Sequence, residues 1–350
     1  MINWVAKKHI NFDKVNKLLI NNLNTNQFAN YGPNVKKLEL LLRDKLLIDS
    51  SKSIICVTNG SAAIHALVCG MNMFYNKELR WATQSFTFPS SAQGILKDNI
   101  IVDIDNGGGL DLNKLNEYID KIDGIIVTNV FGNIVDIDKY EKWCKVNDKL
   151  LLFDNAATVY TFYKNKNSLN YANGASISFH HTKPIGFGEG GAIIVDNIYE
   201  SEIRRCINFG ISTQNNICYD IYGSNFKMSE ITAAFIIQYL DNFDKIIDHH
   251  NNLYDHLKKK LIQYPNISLY PNFSDNNPFV ACFCLLADKF DKSFINKILT
   301  DGIFCRKYYV PLNATTYAMN IYNKILCLPC NLDINKNIID RYIELITDDI

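Results

Sequence analysis

A lysine in the run Ser178-Phe179-His180-His181-Thr182-Lys183-Pro184-Ile185-Gly186-Phe187-Gly188-Glu189-Gly190-Gly191 is placed to act as a nucleophile. It follows an apolar, strand-like run by four residues and lies among glycines, which let backbone approach a ligand closely. A lysine amine attacks a carbonyl once burial or a neighbouring cation depresses its pKa. The competing reading, a surface lysine in a flexible loop, sits poorly with the apolar strands on both sides. The pair His180 and His181 does not read as a metal site. Adjacent residues at a strand end face opposite ways, and no third ligand is evident.

Three further motifs precede it. In Thr58-Asn59-Gly60-Ser61-Ala62-Ala63, between a strand and a helix, a Gly turn, a hydroxyl and free helix N–H groups form a phosphate cradle. It is not a P-loop, because the Gly-Lys-Ser/Thr ending is absent, and taken alone it fits an ordinary Gly turn with a Ser N-cap better than a ligand site. Ser85-Phe86-Thr87-Phe88-Pro89 ends another strand, and Phe88 is placed either to stack on a planar heterocycle or to fill the core. In Leu150-Leu151-Leu152-Phe153-Asp154-Asn155-Ala156-Ala157 a carboxylate follows four large apolar residues. Buried, it requires a cation or donors: a protonated pyridine nitrogen, a metal, an Arg or Lys, or a helix N-terminus.

The chain order of these parts is more informative than any one of them. A cradle, an aromatic, a strand-end Asp and, 29 positions later, a loop Lys are the parts that a pyridoxal 5'-phosphate (PLP) site needs. They supply a covalent anchor, a carboxylate that keeps the pyridine nitrogen protonated, and a hold on the phosphate.

The elements that must position these residues are legible as alternating periods. Strands are expected at Ser53–Val57, Leu79–Ala82, Ile100–Asp103, Gly124–Thr128, Lys149–Phe153, Ala175–Phe179 and Gly191–Val195. Helical patterns fall between several of them, at Ala62–Met73 and Asp136–Val146, and one long pattern runs over Met228–Ile247. Alternation of this kind predicts an α/β chain with a mostly parallel sheet covered on both faces. Ligands then collect at the carboxyl ends of the strands. After about Asp248 a polar His-His-Asn-Asn step leads into helix, strands around Ile267–Tyr270 and Phe279–Leu286, then helix, strand and helix. The expected division is a PLP-binding unit over 51–247, a smaller α+β unit over 248–350, and an N-terminal segment, 1–50, packing with the latter.

Bulk properties bound the partners. The 350 residues are 47% hydrophobic, ample for a large core. Lys plus Arg and Asp plus Glu number 36 each, so no overall field attracts nucleic acid or an anionic membrane. No apolar run approaches the ~18 residues of a membrane span, and the N-terminus lacks a signal-peptide core. Cytoplasmic localisation is expected. The ten cysteines sit mostly in apolar runs and read as reduced core thiols. Cys327-Leu-Pro-Cys330 has redox or zinc spacing but no second pair, so no metal is expected.

These motifs together resemble the DegT/StrS family of PLP-dependent sugar-nucleotide aminotransferases. The resemblance runs from Tyr31-Gly32-Pro33 through Asn59–Ala63, Ser85–Phe88, Val130-Phe131-Gly132-Asn133, Asp154–Ala157 and Ser178–Gly191. It continues in Gly223-Ser224-Asn225-Phe226-Lys227-Met228-Ser229-Glu230 and Tyr309-Val310-Pro311-Leu312. It implies PLP fold type I, like aspartate aminotransferase, with a pyridoxamine phosphate form in turnover. Lys183 is then the Schiff-base lysine and Asp154 the partner of the pyridine nitrogen. Gly60, Ser61, the Ala62 amide and Ser178 hold the phosphate, and Phe88 stacks on the ring. Asn225 reaches the cofactor of a neighbouring subunit, which implies a homodimer with shared sites.

The family's polar residue three places after the Asp is Ala157 here, which leaves Asn155 or a water for the ring hydroxyl. Substrate contacts are expected from Tyr31, Phe187, Glu189, Arg306, Tyr308 and Tyr309. The His-His-Thr-Lys-Pro wording looks most like 4-aminotransferases of the viosamine type. These move the amino group of L-glutamate to a dTDP- or UDP-linked 4-keto-6-deoxyglucose. Transfer to carbon 3, transfer to another keto sugar, PLP-dependent sugar dehydration, and a non-catalytic PLP-binding regulator are the alternatives. Lys183 rather than His at its position favours transamination over dehydration.

Overall fold

Apolar, β-branched runs too short for helices become strands buried on both faces. In the computed structural model, which describes residues 1–212, 218–271 and 278–347, the first nine are β1 (Lys52–Val57), β2 (Trp81–Gln84), β3 (Ile100–Val102), β4 (Gly124–Thr128), β5 (Leu150–Asp154), β6 (Phe162–Tyr163), β7 (Lys166–Asn167), β8 (Gly174–Ser178) and β9 (Gly191–Asp196). β6 and β7 form a separate ribbon, and the others make one sheet in the order β1-β9-β8-β5-β4-β2-β3. Only β9 runs antiparallel to its neighbours, so the sheet is mostly parallel, as expected. The second strand starts at Trp81 rather than Leu79. The N–H groups of Leu79 and Arg80 donate instead to the side chains of Asn72 (3.0 Å) and Asp123 (2.8 Å).

Alternate residues of each strand feed two cores. Ile54, Cys56, Ile125, Val127, Leu151 and Phe153 face one layer, and Ile55, Val57, Ile126 and Leu152 the other. Helices α1 (Phe12–Thr25), α2 (Pro33–Lys45), α3 (Gly60–Tyr75), α4 (Leu112–Leu115), α5 (Ile137–Val146), α6 (Glu200–Cys206) and α7 (Glu230–Tyr239) accompany this sheet. The expected single helix over Met228–Ile247 is instead α7, a 3-10 turn at Leu240–Asn242, and α8 (Phe243–Leu261). Asn242 donates its side-chain amide to the Tyr239 carbonyl (3.3 Å), and such local bonds compete with helical ones.

The His-His-Asn-Asn step therefore lies inside α8 and does not interrupt the chain. Core membership changes along this one helix, from the large core at Ile247 to a second core at Leu253. That second core is built on a three-stranded sheet, β10 (Ser268–Leu269), β11 (Cys282–Leu286) and β12 (Ile325–Pro329), with α9 (Lys292–Thr300) and α11 (Lys336–Thr347), while α10 (Thr316–Lys324) packs on the sheet's other face with Phe86 and Phe131.

The N-terminal segment divides its allegiance. Ile2 bridges Ile303, and Asn331 donates to the carbonyls of Asn3 and Trp4, so the first residues lie against the small sheet's unit. Helices α1 and α2 instead pack on α7, and α2 also on β1, because their apolar stripes face the large core. Buried Glu230 fixes this packing by accepting from the Asn34 and Val35 N–H groups at the start of α2. No helix among the described residues is long and apolar enough to cross a membrane.

Asp103, just past β3, ties the two units together. Its carboxylate accepts from Lys114 (2.8 Å) and from the Tyr317 and Ala318 N–H groups (3.0 Å each) at the start of α10. Burial pushes its pKa up, but these donors and the Thr315 hydroxyl prevail and hold it down to about 2. A depressed carboxylate stabilises the fold above its unfolded pKa and loses that contribution as pH falls through the folded value. Asp103→Asn is expected to lower unfolding free energy at pH 7 by roughly 1–2 kcal/mol, the gap closing between pH 4 and pH 2. Denaturant titrations of both proteins across that range check this; a gap independent of pH would count against it.

Candidate active site

The carboxyl ends of β4, β5 and β8 open on one cavity of about 560 Å³. It brings together Gly60, Ser61, Phe88, Asp154, Ser178, Lys183, Glu189, Arg306, Tyr308 and Tyr309, all singled out from sequence. Also present are Asn59, Ser90, Thr128, Ala156, Ala157, His180 and Thr182.

The cradle lies at the start of α3. Asn59 caps the helix by accepting from the Ala62 N–H (2.8 Å), and its carbonyl takes the Ala63 N–H (3.0 Å). The Ala62 amide expected to face a phosphate is thus consumed by the cap. Of the helix's first four N–H groups, those of Gly60 and Ser61 are left for a ligand. A Cβ on Gly60 would lie 2.8 Å from that of Ser178, so only glycine lets the helix end approach β8. The Ser61 and Ser90 hydroxyls meet at 2.6 Å. These hydroxyls, Ser178 and the two N–H groups form a compact donor set suited to a phosphate.

Asp154 closes the cavity floor. It is 4% exposed and accepts from Ser91 Oγ (2.9 Å), Ser176 Oγ (3.4 Å) and the Ala156 N–H (3.1 Å). Among the described residues no Lys, Arg or His reaches it as an ion pair. A buried carboxylate held only by neutral donors suits a ligand that presents a cationic N–H, which a pyridinium does. Asn155 does not serve the cavity. Its side chain is fully buried, accepting from Asn129 Nδ2 (2.6 Å) and donating to Ser168 Oγ (3.2 Å). Ala157 lines the wall with a methyl only.

Lys183 is half-buried and faces this floor. Burial lowers its pKa, against the opposing charge of Asp154, which favours the neutral, nucleophilic amine. Its loop is wound tightly. The Lys183 N–H donates to the His180 carbonyl (2.8 Å), and the Gly186 N–H to that of Lys183 (3.0 Å). A Cβ on Gly186 would come within 2.2 Å of the His180 carbonyl oxygen, so a side chain there would force the loop open.

Two residues that no motif singled out support the site from the N-terminal strap. Lys8 Nζ donates to the Lys183 carbonyl (2.7 Å) and to that of Gly186, and lies over the Tyr239 ring. Burial lowers its pKa to about 7. The Trp4 ring lies 4.9 Å from the Arg306 guanidinium and meets Tyr308 edge-on. Their partners are far away in sequence, so no local pattern marks them.

Besides Ala62 and Asn155, three expected site residues lie elsewhere. Phe187 stacks on Phe235 (5.5 Å) behind the loop. Tyr31 bonds Glu39 and stacks under Arg204 (4.4 Å), lining a separate hollow of about 170 Å³ with Asn208 and Lys227. Asn225 is exposed and bridges Asn208.

The profile of the DegT/DnrJ/EryC1/StrS aminotransferase family matches residues 11–347. The chain is 26% identical over 345 residues to a dTDP-4-amino-4,6-dideoxy-D-glucose transaminase of Shigella dysenteriae, covering 92% of each chain. It is 24% identical over 213 residues to a GDP-perosamine synthase of Escherichia coli O157:H7, covering 59% of this chain and 57% of that one. In fold it is similar to Helicobacter pylori PseC, an aminotransferase of pseudaminic acid biosynthesis. That match has a TM-score of 0.85 at 18% identity and covers 99% of each chain.

Replacing Lys8 removes the tie that holds the loop. In Lys8→Met, hydrogen exchange of the loop amides of Lys183 and Gly186 is expected to accelerate about 10-fold or more, while Lys14→Met, at an exposed ion pair with Asp241, leaves them unchanged. Equal protection in all three proteins would show that the loop is held without Lys8.

Proposed function

Because the chain belongs to the DegT/DnrJ/EryC1/StrS aminotransferase family and is a PLP-dependent sugar transaminase, we propose that it moves the amino group of L-glutamate to carbon 4 of a dTDP- or UDP-linked 4-keto-6-deoxy-D-glucose. The products are 2-oxoglutarate and the viosamine nucleotide. The observation that carries this reading is the meeting of Lys183, Asp154 and the Gly60–Ser61 cradle in one cavity. The name of the Shigella dysenteriae relative, similar over 92% of this chain, supports the acceptor.

Bound PLP supplies a ring that takes up the electron pair left when a hydrogen leaves the carbon bearing the amino group. The chain's residues do the rest. Ser61, Ser90, Ser178 and the first N–H groups of α3 anchor the phosphate, and Phe88 covers one face of the ring. Asp154 keeps the pyridine nitrogen protonated, which strengthens electron withdrawal. Lys183 is the covalent anchor. With its pKa lowered by burial, its amine would take the proton from the donor's α-carbon and give one back to the carbon that receives it in the product. The 4-keto sugar runs the same transfers backwards. Arg306 offers a fork of donors to a diphosphate, and Tyr308 and Tyr309 flank it.

The same reading makes the enzyme a homodimer with shared sites, acting in the cytoplasm. Tyr31 and Asn225, outside their own cavity, would then serve the neighbouring one. The exposed Phe209, Tyr219, Ile221 and Ile231 supply apolar surface for that contact.

Lys183→Ala is expected to lower kcat by about 10³-fold or more, and Asp154→Asn by about 10²-fold or more; near-normal rates in either would sink its role. Incubation with glutamate and the UDP- and dTDP-linked ketones side by side, read by NMR, should place the new nitrogen on carbon 4. Nitrogen on carbon 3, or loss of a hydroxyl without nitrogen, would replace the acceptor assignment. Asn225→Ala alone should lower activity, and mixing it with Lys183→Ala should restore about a quarter of wild-type activity if sites are shared across a two-fold interface; an Asn225→Ala protein as active as wild type, or no gain on mixing, would show that each chain is self-sufficient.

A further inference from the structure

Three thiols that transamination does not use converge between the small sheet and the large core. Cys282 and Cys284 lie two apart on β11 and so point to one face. Cys327 on β12 is the register partner of Cys284. Their Sγ atoms stand 3.5 Å apart for Cys282–Cys284 and 3.5 Å for Cys284–Cys327, and all three lie within 4.8 Å of one another. Each residue is under 5% exposed. Cys330, the sequence-spaced mate of Cys327, turns away to His250 (3.3 Å).

Buried cysteines ordinarily act as small apolar fillers, a role that does not require sulfur atoms to gather in a triangle. An ion equidistant from three thiolates at the usual ~2.3 Å would set them about 4.0 Å apart; two of the separations are 3.5 Å and all three are within 4.8 Å, so small side-chain shifts reach that spacing. We propose that Cys282, Cys284 and Cys327 form a three-coordinate site for one soft monovalent d10 metal ion, of the copper(I) class. All-thiolate donors select soft ions. Zinc in structural sites takes four ligands, and no fourth Cys, His or carboxylate joins this group among the described residues.

On binding, three S–H bonds break and three metal–sulfur bonds form. Three protons leave to solvent, and no electron is transferred. The resulting complex carries net negative charge. Cys327 exchanges both backbone hydrogen bonds with Arg306 (3.0 and 2.8 Å), so the ion lies one strand behind the cavity wall. The site rests on thiol geometry alone and does not depend on the acceptor or the roles of Lys183 and Asp154.

The test titrates reduced, full-length holoenzyme with copper(I) in oxygen-free buffer against a chromophoric copper(I) chelator. One equivalent per chain should be held. Cys284→Ser should weaken it by about 100-fold or more, while Cys330→Ser and Cys218→Ser leave it intact. X-ray absorption on the loaded protein should show three sulfur neighbours. Should Cys284→Ser fail to fold by circular dichroism, Cys282→Ala and Cys327→Ala give the same reading. Failure to compete with the chelator, unchanged affinity in the folded trio variants, two sulfur neighbours, or zinc(II) held as tightly as copper(I) would each overturn the proposal.

Discussion

A carboxylate at the end of a buried parallel strand is the constraint around which the rest is arranged. Asp154 lies where the β5 carbonyls and side chains run out, enclosed by Ser91, Ser176 and the Ala156 amide. Neutral donors alone leave a buried charge under-compensated. The fold answers by keeping an opening above it, bounded by the helix end at Gly60 and by the Lys183 loop. Under the proposed function the missing positive charge is the pyridinium, so cofactor and carboxylate each make the other's burial tolerable. The same burial lowers the Lys183 pKa, so under that function one desolvated pocket would prepare both the electron sink and the base.

Much of this was legible in the residues. β-branched runs mark the strands because both faces of a parallel sheet are apolar, and Gly124–Thr128 falls where its pattern put it. Lys183, Asp154, Ser61 and Phe88 come together because strand ends in an open sheet converge on one edge. Misplacements arose where a side chain competed for backbone. Asn59 took the amide intended for the phosphate, Asn242 broke a helix, and Asn72 and Asp123 delayed β2. Asn155 turns from the cavity because Asn129 and Ser168 draw it into the core. Lys8 and Trp4 were invisible for another reason: their partners lie 175 and 302 positions away, and only tertiary packing creates the contact.

The cavity is a joint, and this separates two kinds of residue. The large sheet supplies the floor and cradle, whereas Arg306, Tyr308 and Tyr309 come from the small sheet's side, reinforced by the stack of Tyr309 on Phe131 (5.1 Å). Their placement relative to the floor is set by ties that cross the joint. Asp103 holds α10, Leu312 donates its N–H to the Ser85 carbonyl and Thr315 meets Ser85 Oγ, and Lys8 and Trp4 bind the strap to both sides. Changes in the floor act on the chemistry common to both half-reactions. Under the proposed function, changes in these ties would shift the wall that meets the sugar nucleotide. Acceptor choice can therefore drift through joint residues that never touch the substrate, while Lys183 and Asp154 stay in place.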